Sequence, residues 1–472
     1  MGQLKTAKSS PSPRIARFVR RFGRKVRASR SGQPPCRGIE ASFEEHIYYC
    51  NFNPGTPLPS ITLSITMVST LPEIGFCGLG AMGGGMARHL VKSGFCVKGY
   101  DLYSPLIDML VAAGGKAAAS PADAATNVDF LILMVVNNVQ ADAVLFDPKS
   151  GAVPALRDNA VIILCSTTPP KYLFELRAHL DVVRPDVRLL DCPVSGGSIR
   201  AANGELSIFS AGADEDFKCS QAVLEALAGP LYRIPGGISM GSVAKMCHQH
   251  QAATNIIMAS EAMGLAAVAG LNTMAVYEQI CKSKGRSWMF ENRGPHMLAN
   301  DWLTVHSAVS IILKDNTIVT NHAKEVGFPL VLENTAEQLY ITGTHAGFTK
   351  EDDAGLVRLY LPSDKKDLVG QLTKSVTTGA GDADIAVETI IDLFAGVHLA
   401  SARECMSFAK HVGMDLIVLE DIINKGAGAS AMFEIAVPQM ISSGTLSLKS
   451  VKEAVEVRDK LVCMFIHIST SI

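Results

Sequence analysis

Three groups of residues have types and spacing that could do chemistry. Gly78, Gly80 and Gly83 form a GxGxxG in the run EIGFCGLGAMGGGMARHL, where an apolar strand gives way to a helix. The first glycine permits a tight turn, the second lets the backbone approach a pyrophosphate, and the third lets helix pack closely on strand. Residues Gly78, Leu79, Gly80, Ala81, Met82 and Gly83 therefore read as a dinucleotide loop, completed by the free N–H donors of a helix start. About 20 residues further on, Asp101 ends the next strand, where a carboxylate can take both ribose hydroxyls. Leu102 and Tyr103 offer no arginine for a 2′-phosphate, so NAD is expected in preference to NADP. The second group is Ser195-Gly196-Gly197, whose successive N–H groups and single hydroxyl can hold a carboxylate without a cation. The third is Lys245 in GSVAKMCHQ, near the start of a long apolar helix. A positive charge there opposes the helix dipole, which argues against a merely solvated lysine.

These groups need a frame. Phe130 to Val136 (FLILMVV) and Ala160 to Leu164 (AVIIL) are further apolar strands alternating with helical segments, the pattern of a doubly wound parallel sheet. Cofactor loops follow the C-terminal ends of such strands, which places Val136 and Asn137 after one, and Ser166 and Thr167 after the other, along the groove. For the run Ser166-Thr167-Thr168-Pro169-Pro170 an ordinary helix cap is the competing reading.

A chain of 472 residues predicts two to four domains, and 48% hydrophobic against 19% charged residues excludes disorder and a coiled coil. Residues 1–66 carry 11 Lys or Arg against three acids, while the rest holds 32 basic and 42 acidic residues. The acidic body argues against nucleic-acid binding. The basic head reads as a cleavable mitochondrial leader, a disordered or non-native extension before Met67, or a basic interaction arm, in each case outside the fold. No apolar run reaches the roughly 18 to 20 residues of a membrane span. Eleven scattered cysteines without CxxC spacing indicate an intracellular protein, in cytoplasm or mitochondrion, and no metal site. Asp352-Asp353 read as a helix cap or solvated pair, and Trp288, Met289 and Phe290 as packing.

In combination, GLGAMG (78–83), DCPVSGGSIRAANGEL (191–206), the Lys245 helix and Lys314-Asp315 resemble the β-hydroxyacid dehydrogenases, the family of 3-hydroxyisobutyrate dehydrogenase within the 6-phosphogluconate dehydrogenase superfamily. The resemblance implies that Ser195, Gly196 and Gly197 bind a substrate carboxylate, that Lys245 transfers the proton, and that Lys314 closes over substrate and nicotinamide. Where the family usually has asparagine, four residues after the lysine, this chain has Gln249, preceded by His248. That pair, SWMFENRGPHML (287–298) and GFTKEDDAGLVRLY (347–360) resemble the L-threonate dehydrogenase branch, which acts on four-carbon sugar acids. Both His248 and Gln249 are candidate substrate contacts.

Residues 251–298 align without gaps onto 394–441 at an offset of 143, with about fifteen identities. Pairs include Glu261 with Glu404, Gly285 with Gly428 and Ser287 with Ser430. The same offset carries Lys245 to Glu388, His248 to Ile391 and Gln249 to Asp392, so the second copy has lost the reactive residues. The expected fold is α/β: a leader (1–66), a Rossmann-type doubly wound domain (67–236), an all-α helical domain (237–362) and a degenerate, incomplete helical copy (363–472). The expected activity is NAD-dependent oxidation of a small hydroxy acid. Its alternative is a noncatalytic NAD-binding scaffold. A homo-oligomer and an intrachain pseudo-dimer through the helical repeat both remain open.

Overall fold

The computed structural model describes residues 71–375 and 386–444. The leader 1–66, the pair Arg458-Asp459 that echoes Lys314-Asp315, and the tail beyond it lie outside the described residues.

Strand β1 (Glu73–Cys77) is followed by α1 (Ala81–Lys92), then β2 (Cys96–Tyr100), β3 (Lys116–Ala117), β4 (Phe130–Leu133), helix α2 (Asn138–Phe146), β5 (Val161–Leu164) and β6 (Arg188–Asp191). The six strands form one parallel sheet in the order β3-β2-β1-β4-β5-β6. FLIL and VIIL are buried at every position, as central parallel strands covered on both faces must be. Register aligns Cys77 with Leu133, and Leu133 with Leu164. The loops after β1, β4 and β5 therefore emerge side by side at the point where strand order reverses. The apolar run expected to be strand through Val136 leaves the sheet after Leu133. Val135 turns its N–H to Ser166 Oγ (2.9 Å) instead, and Val136 becomes half exposed.

A small second sheet, not foreseen from the sequence, comes next. In it β7 (Val194–Ser195) pairs antiparallel with β8 (Leu206–Ser210), and β9 (Ala228–Arg233) pairs parallel with β8. Between β7 and β8 lies the short helix α3 (Gly197–Asn203), packed on α1 so closely that a Cβ on Gly85 would meet Ala202 N at 3.0 Å.

The helical part is organised around α4 (Met240–Val268), which is buried nearly all round and so reads as a core helix. It is followed by α5 (Thr273–Cys281), α6 (Trp288–Ala299), α7 (Val309–Glu325) and α8 (Val331–His345), then α9 (Val387–His411), α10 (Leu416–Asn424) and α11 (Ala431–Ser443). Helices α5 and α10, and the starts of α6 and α11, fall at the same offset of 143 as the sequence alignment. Two hydrophobic clusters join α4 to α9 along its length, one around Met258, Phe290 and Phe394, the other around Met246, Phe408 and Phe433.

Asp352 is a cap, accepting from Ala354 N (3.1 Å) and His306 N (2.8 Å). Asp353 is not solvated: it is fully buried and paired with Arg293. Met289 and Phe290 are packed as expected, whereas Trp288 is partly exposed.

Candidate active site

At the cofactor end, Gly78 has φ +95°, and a Cβ there would lie 2.4 Å from Met134 O. A Cβ on Gly83 would lie 1.9 Å from Gly78 O, whereas nothing stands within 4 Å of one on Gly80. The loop is thus closed on its protein side and open where a pyrophosphate has to approach. No side chain caps α1, whose first turn begins at Ala81 and Met82, so its N–H groups are free for phosphate oxygens. Asp101 accepts from Leu79 N (2.7 Å) and Tyr103 N (2.9 Å), which fixes its carboxylate at the edge of the loop.

Asn137 caps α2 by accepting from Gln140 N (2.9 Å), and Gln140 in turn accepts from Val136 N (2.9 Å). Ser166 is buried with its hydroxyl on Val135 N, so it ties the β4 and β5 loops together. It does not cap the following helix, whose N-cap is Pro169 without a side-chain bond. Lys314 Nζ donates to Val136 O (3.1 Å) and Thr167 O (3.4 Å) and lies 2.8 Å from Asp315. One lysine of the helical part therefore spans the loops after β4 and β5.

Gly196 (φ +142°) and Gly197 (φ +73°) adopt backbone conformations that favour glycine. Nothing stands within 4 Å of a Cβ on Gly197, and α3 starts there without a side-chain cap. Ser195 is half buried beside it, paired with Ser207.

The first turn of α4 is fastened to the end of β6 by a residue that sequence reasoning left without a role. Asp191 accepts from Ser242 N (2.6 Å) and Ser242 Oγ (2.8 Å) while fully buried. Burial pushes its carboxyl up to about 7 against the Ser242 donors, which favour the ionised form. One turn later, Lys245 is buried. Burial lowers its pKa, the Lys314 charge lowers it further, and Asp315 partly restores it. His248 lies beside Phe209 (ring centroids 5.9 Å apart), and burial with the Lys245 charge holds it down at about 3, so it is neutral. Both His248 nitrogens and Gln249 Nε2 are buried without a partner among the described residues. So are both polar atoms of Asn316, a residue the sequence reading missed although it follows Lys314-Asp315 directly. These unpartnered atoms lie on the helices that carry Lys245 and Lys314; others, both His398 nitrogens among them, lie elsewhere among the described residues.

Elsewhere, a mainly apolar pocket lies between α4, α8 and α9. It contains Glu261, held up at about 7 by burial, but none of the residues above. Among the described residues no cluster of three His, Cys, Asp or Glu could hold a metal, and no helix is long and apolar enough to cross a membrane.

Residues 73–238 match the NAD binding domain of 6-phosphogluconate dehydrogenase. Residues 239–360 and 379–451 match the NAD-binding domain of NADP-dependent 3-hydroxyisobutyrate dehydrogenase. The L-threonate dehydrogenase of Cupriavidus necator is 38% identical over 288 residues, 61% of this chain and 96% of that protein. The mitochondrial 3-hydroxyisobutyrate dehydrogenase of Rattus norvegicus is 28% identical over 61% of this chain and 87% of its own length. A crystal structure of 3-hydroxyisobutyrate dehydrogenase from Salmonella typhimurium has a TM-score of 0.57 at 37% identity, covering 61% of this chain and 99% of that one. The Plasmodium falciparum 6-phosphogluconate dehydrogenase, at 14% identity, shares the fold (TM-score 0.58) over 84% of this chain and 89% of its own, an extent that reaches further along the chain.

Proposed function

The chain belongs to the β-hydroxyacid dehydrogenase family of NAD(P)-dependent oxidoreductases acting on CH–OH groups, and on that premise we propose that it oxidises a small β-hydroxy acid, L-threonate-like or 3-hydroxyisobutyrate-like, with Lys245 as general acid/base. The observation that carries the reading is the buried Lys245, its ammonium destabilised by burial, on a helix start fastened to the strand that leads into Ser195-Gly196-Gly197.

The open face of Gly80, the uncapped start of α1 and the fixed Asp101 carboxylate fit a dinucleotide, and Asp101 disfavours a 2′-phosphate. NAD bound there supplies the hydride acceptor for a secondary alcohol. Ser195, Gly196 and Gly197 hold the substrate carboxylate. Lys245 Nζ, neutral when its pKa is low enough, accepts the hydroxyl proton during oxidation and returns it in reduction. Lys314 keeps the Val136 and Thr167 loops at a set spacing and lowers the proton affinity of Lys245. His248 and Gln249 offer their unpaired nitrogens to further substrate oxygens.

We assign residues 67–236 to the dinucleotide domain, 237–362 to the helical domain and 363–472 to a degenerate copy that takes the place of a partner subunit. Steady-state rates with a panel of hydroxy acids, each with NAD and NADP, test the proposal. Turnover of L-threonate or 3-hydroxyisobutyrate with NAD is the expected result. NAD binding without turnover of any hydroxy acid would return the chain to the scaffold reading.

A further inference from the structure

The turn after α10, residues 425–429, is pressed against α4 at His248, Gln251 and Asn255. Asn255 Nδ2 donates to Gly428 O (3.2 Å), and a Cβ on Gly428 would meet Gln251 Cβ at 2.9 Å. Gly426 faces His248, since a Cβ there would lie 2.5 Å from Nε2 and 3.0 Å from Cδ2 of the imidazole. Its φ is not positive, so glycine is required for room and not for backbone conformation.

The matching turn of the first helical segment, at the offset of 143, shows what this one lacks. There Ser283 stands for Gly426 and Lys284 for Ala427, facing an α9 that carries Ile391 for His248 and Asp392 for Gln249. Lys284 Nζ pairs with Asp392 Oδ1 at 2.8 Å, and a Cβ on Gly285 would lie 3.5 Å from Ile391 O. On that side, a lysine and an aspartate pair across the contact. On the side of Lys245 the position of Ser283 is taken by Gly426, and both His248 nitrogens and Gln249 Nε2 are without a partner among the described residues. Unpaired buried nitrogens opposite a glycine indicate a ligand that supplies the missing partners.

We infer that the second helical segment forms a wall of the substrate site, with Gly426 as a specificity-determining residue that lets the His248 imidazole sit where it and Gln249 can pair with hydroxyl groups of the acid. The inference rests on the function proposed above. A side chain at 426 displaces the imidazole from that position.

The test uses the full chain with Gly426→Ala and Gly426→Ser, each with and without His248→Ala. Expected for Gly426→Ala is a KM for L-threonate raised about tenfold. The rise should be smaller for a shorter monohydroxy acid, NAD affinity should be unchanged, and most of the effect should vanish in the His248→Ala background. A packing role alone would lower the melting temperature and leave the ratio between acids unaltered, and that result overturns the inference. So does an equal KM rise with and without His248. An unmutated chain that turns over no hydroxy acid refutes the proposed function instead. Normal turnover with no discrimination by the 426 variants refutes only this inference.

Discussion

Ser287 and Ser430, 143 residues apart in sequence, face each other in a two-bond antiparallel bridge. Trp288 N donates to Ala429 O and Ala431 N to Arg286 O, both at 2.9 Å. Each serine also caps its own helix, accepting from Phe290 N and Phe433 N at 3.2 Å. Such a self-complementary contact is what a two-fold interface between identical subunits would display, here within one chain.

Removing residues 363–472 should therefore expose the face of α4 that meets Phe394, Met406, Phe408 and Phe433. Each such side chain contributes roughly 1.5 to 3 kcal/mol by burial. Expected is aggregation, or a dimer in which a second molecule covers the face, seen by light scattering. A soluble monomer with unchanged melting temperature and turnover would make the segment an independent appendage.

Glu404 on α9 accepts from Val331 N (2.7 Å), Leu332 N (3.0 Å) and Glu333 N (3.1 Å), and lies 3.0 Å from His250 Nε2. Glu404→Ala strands these buried groups, at a cost of about 3 to 5 kcal/mol. Chemical denaturation should read that loss, while a change below about 1 kcal/mol would show that water replaces the carboxylate.

Asp101→Ser should lower the preference for NAD over NADP about tenfold, as the carboxylate that opposes a 2′-phosphate is removed. Asp101→Asn, which keeps an acceptor for Leu79 N, separates charge from loop geometry. Comparable efficiency with both cofactors in the unmutated protein would remove the basis for the assignment.

Lys245→Ala should reduce turnover by about two to four orders of magnitude while NAD binding, followed by fluorescence, persists. Near-normal turnover would move proton transfer to another group.

The pH profile carries a sign. Burial and Lys314 lower the Lys245 pKa, and Asp315 raises it. The base form drives oxidation, so the rate rises as pH passes upward through a pKa below the usual lysine value. Asp315→Asn removes the charge that favours the ammonium and should move this rising limb to lower pH. A shift to higher pH, seen in kcat/KM for oxidation, would contradict the arrangement.

The sequence by itself determined whatever depends on short stretches of backbone. Gly78, Gly80 and Gly83 are legible because a tight turn and a close helix contact demand glycine at set spacing, and Asp101 lies only 22 residues from the Leu79 N–H it accepts. Ser195-Gly196-Gly197 stands out for the same reason, its two positive φ values favouring glycine. The offset of 143 was likewise visible as identities and returns as matched helices. Tertiary structure alone decided which distant groups meet. Lys314 reaches Val136 across 178 residues, Asp191 fastens Ser242 across 51, and Glu404 caps a helix 73 residues before it. Gly426 looks in sequence like any turn glycine, yet in space it stands against His248. Local pattern records what one segment requires of its own backbone; a partner contributed by a remote segment is fixed by how the helices pack, and leaves no spacing to read.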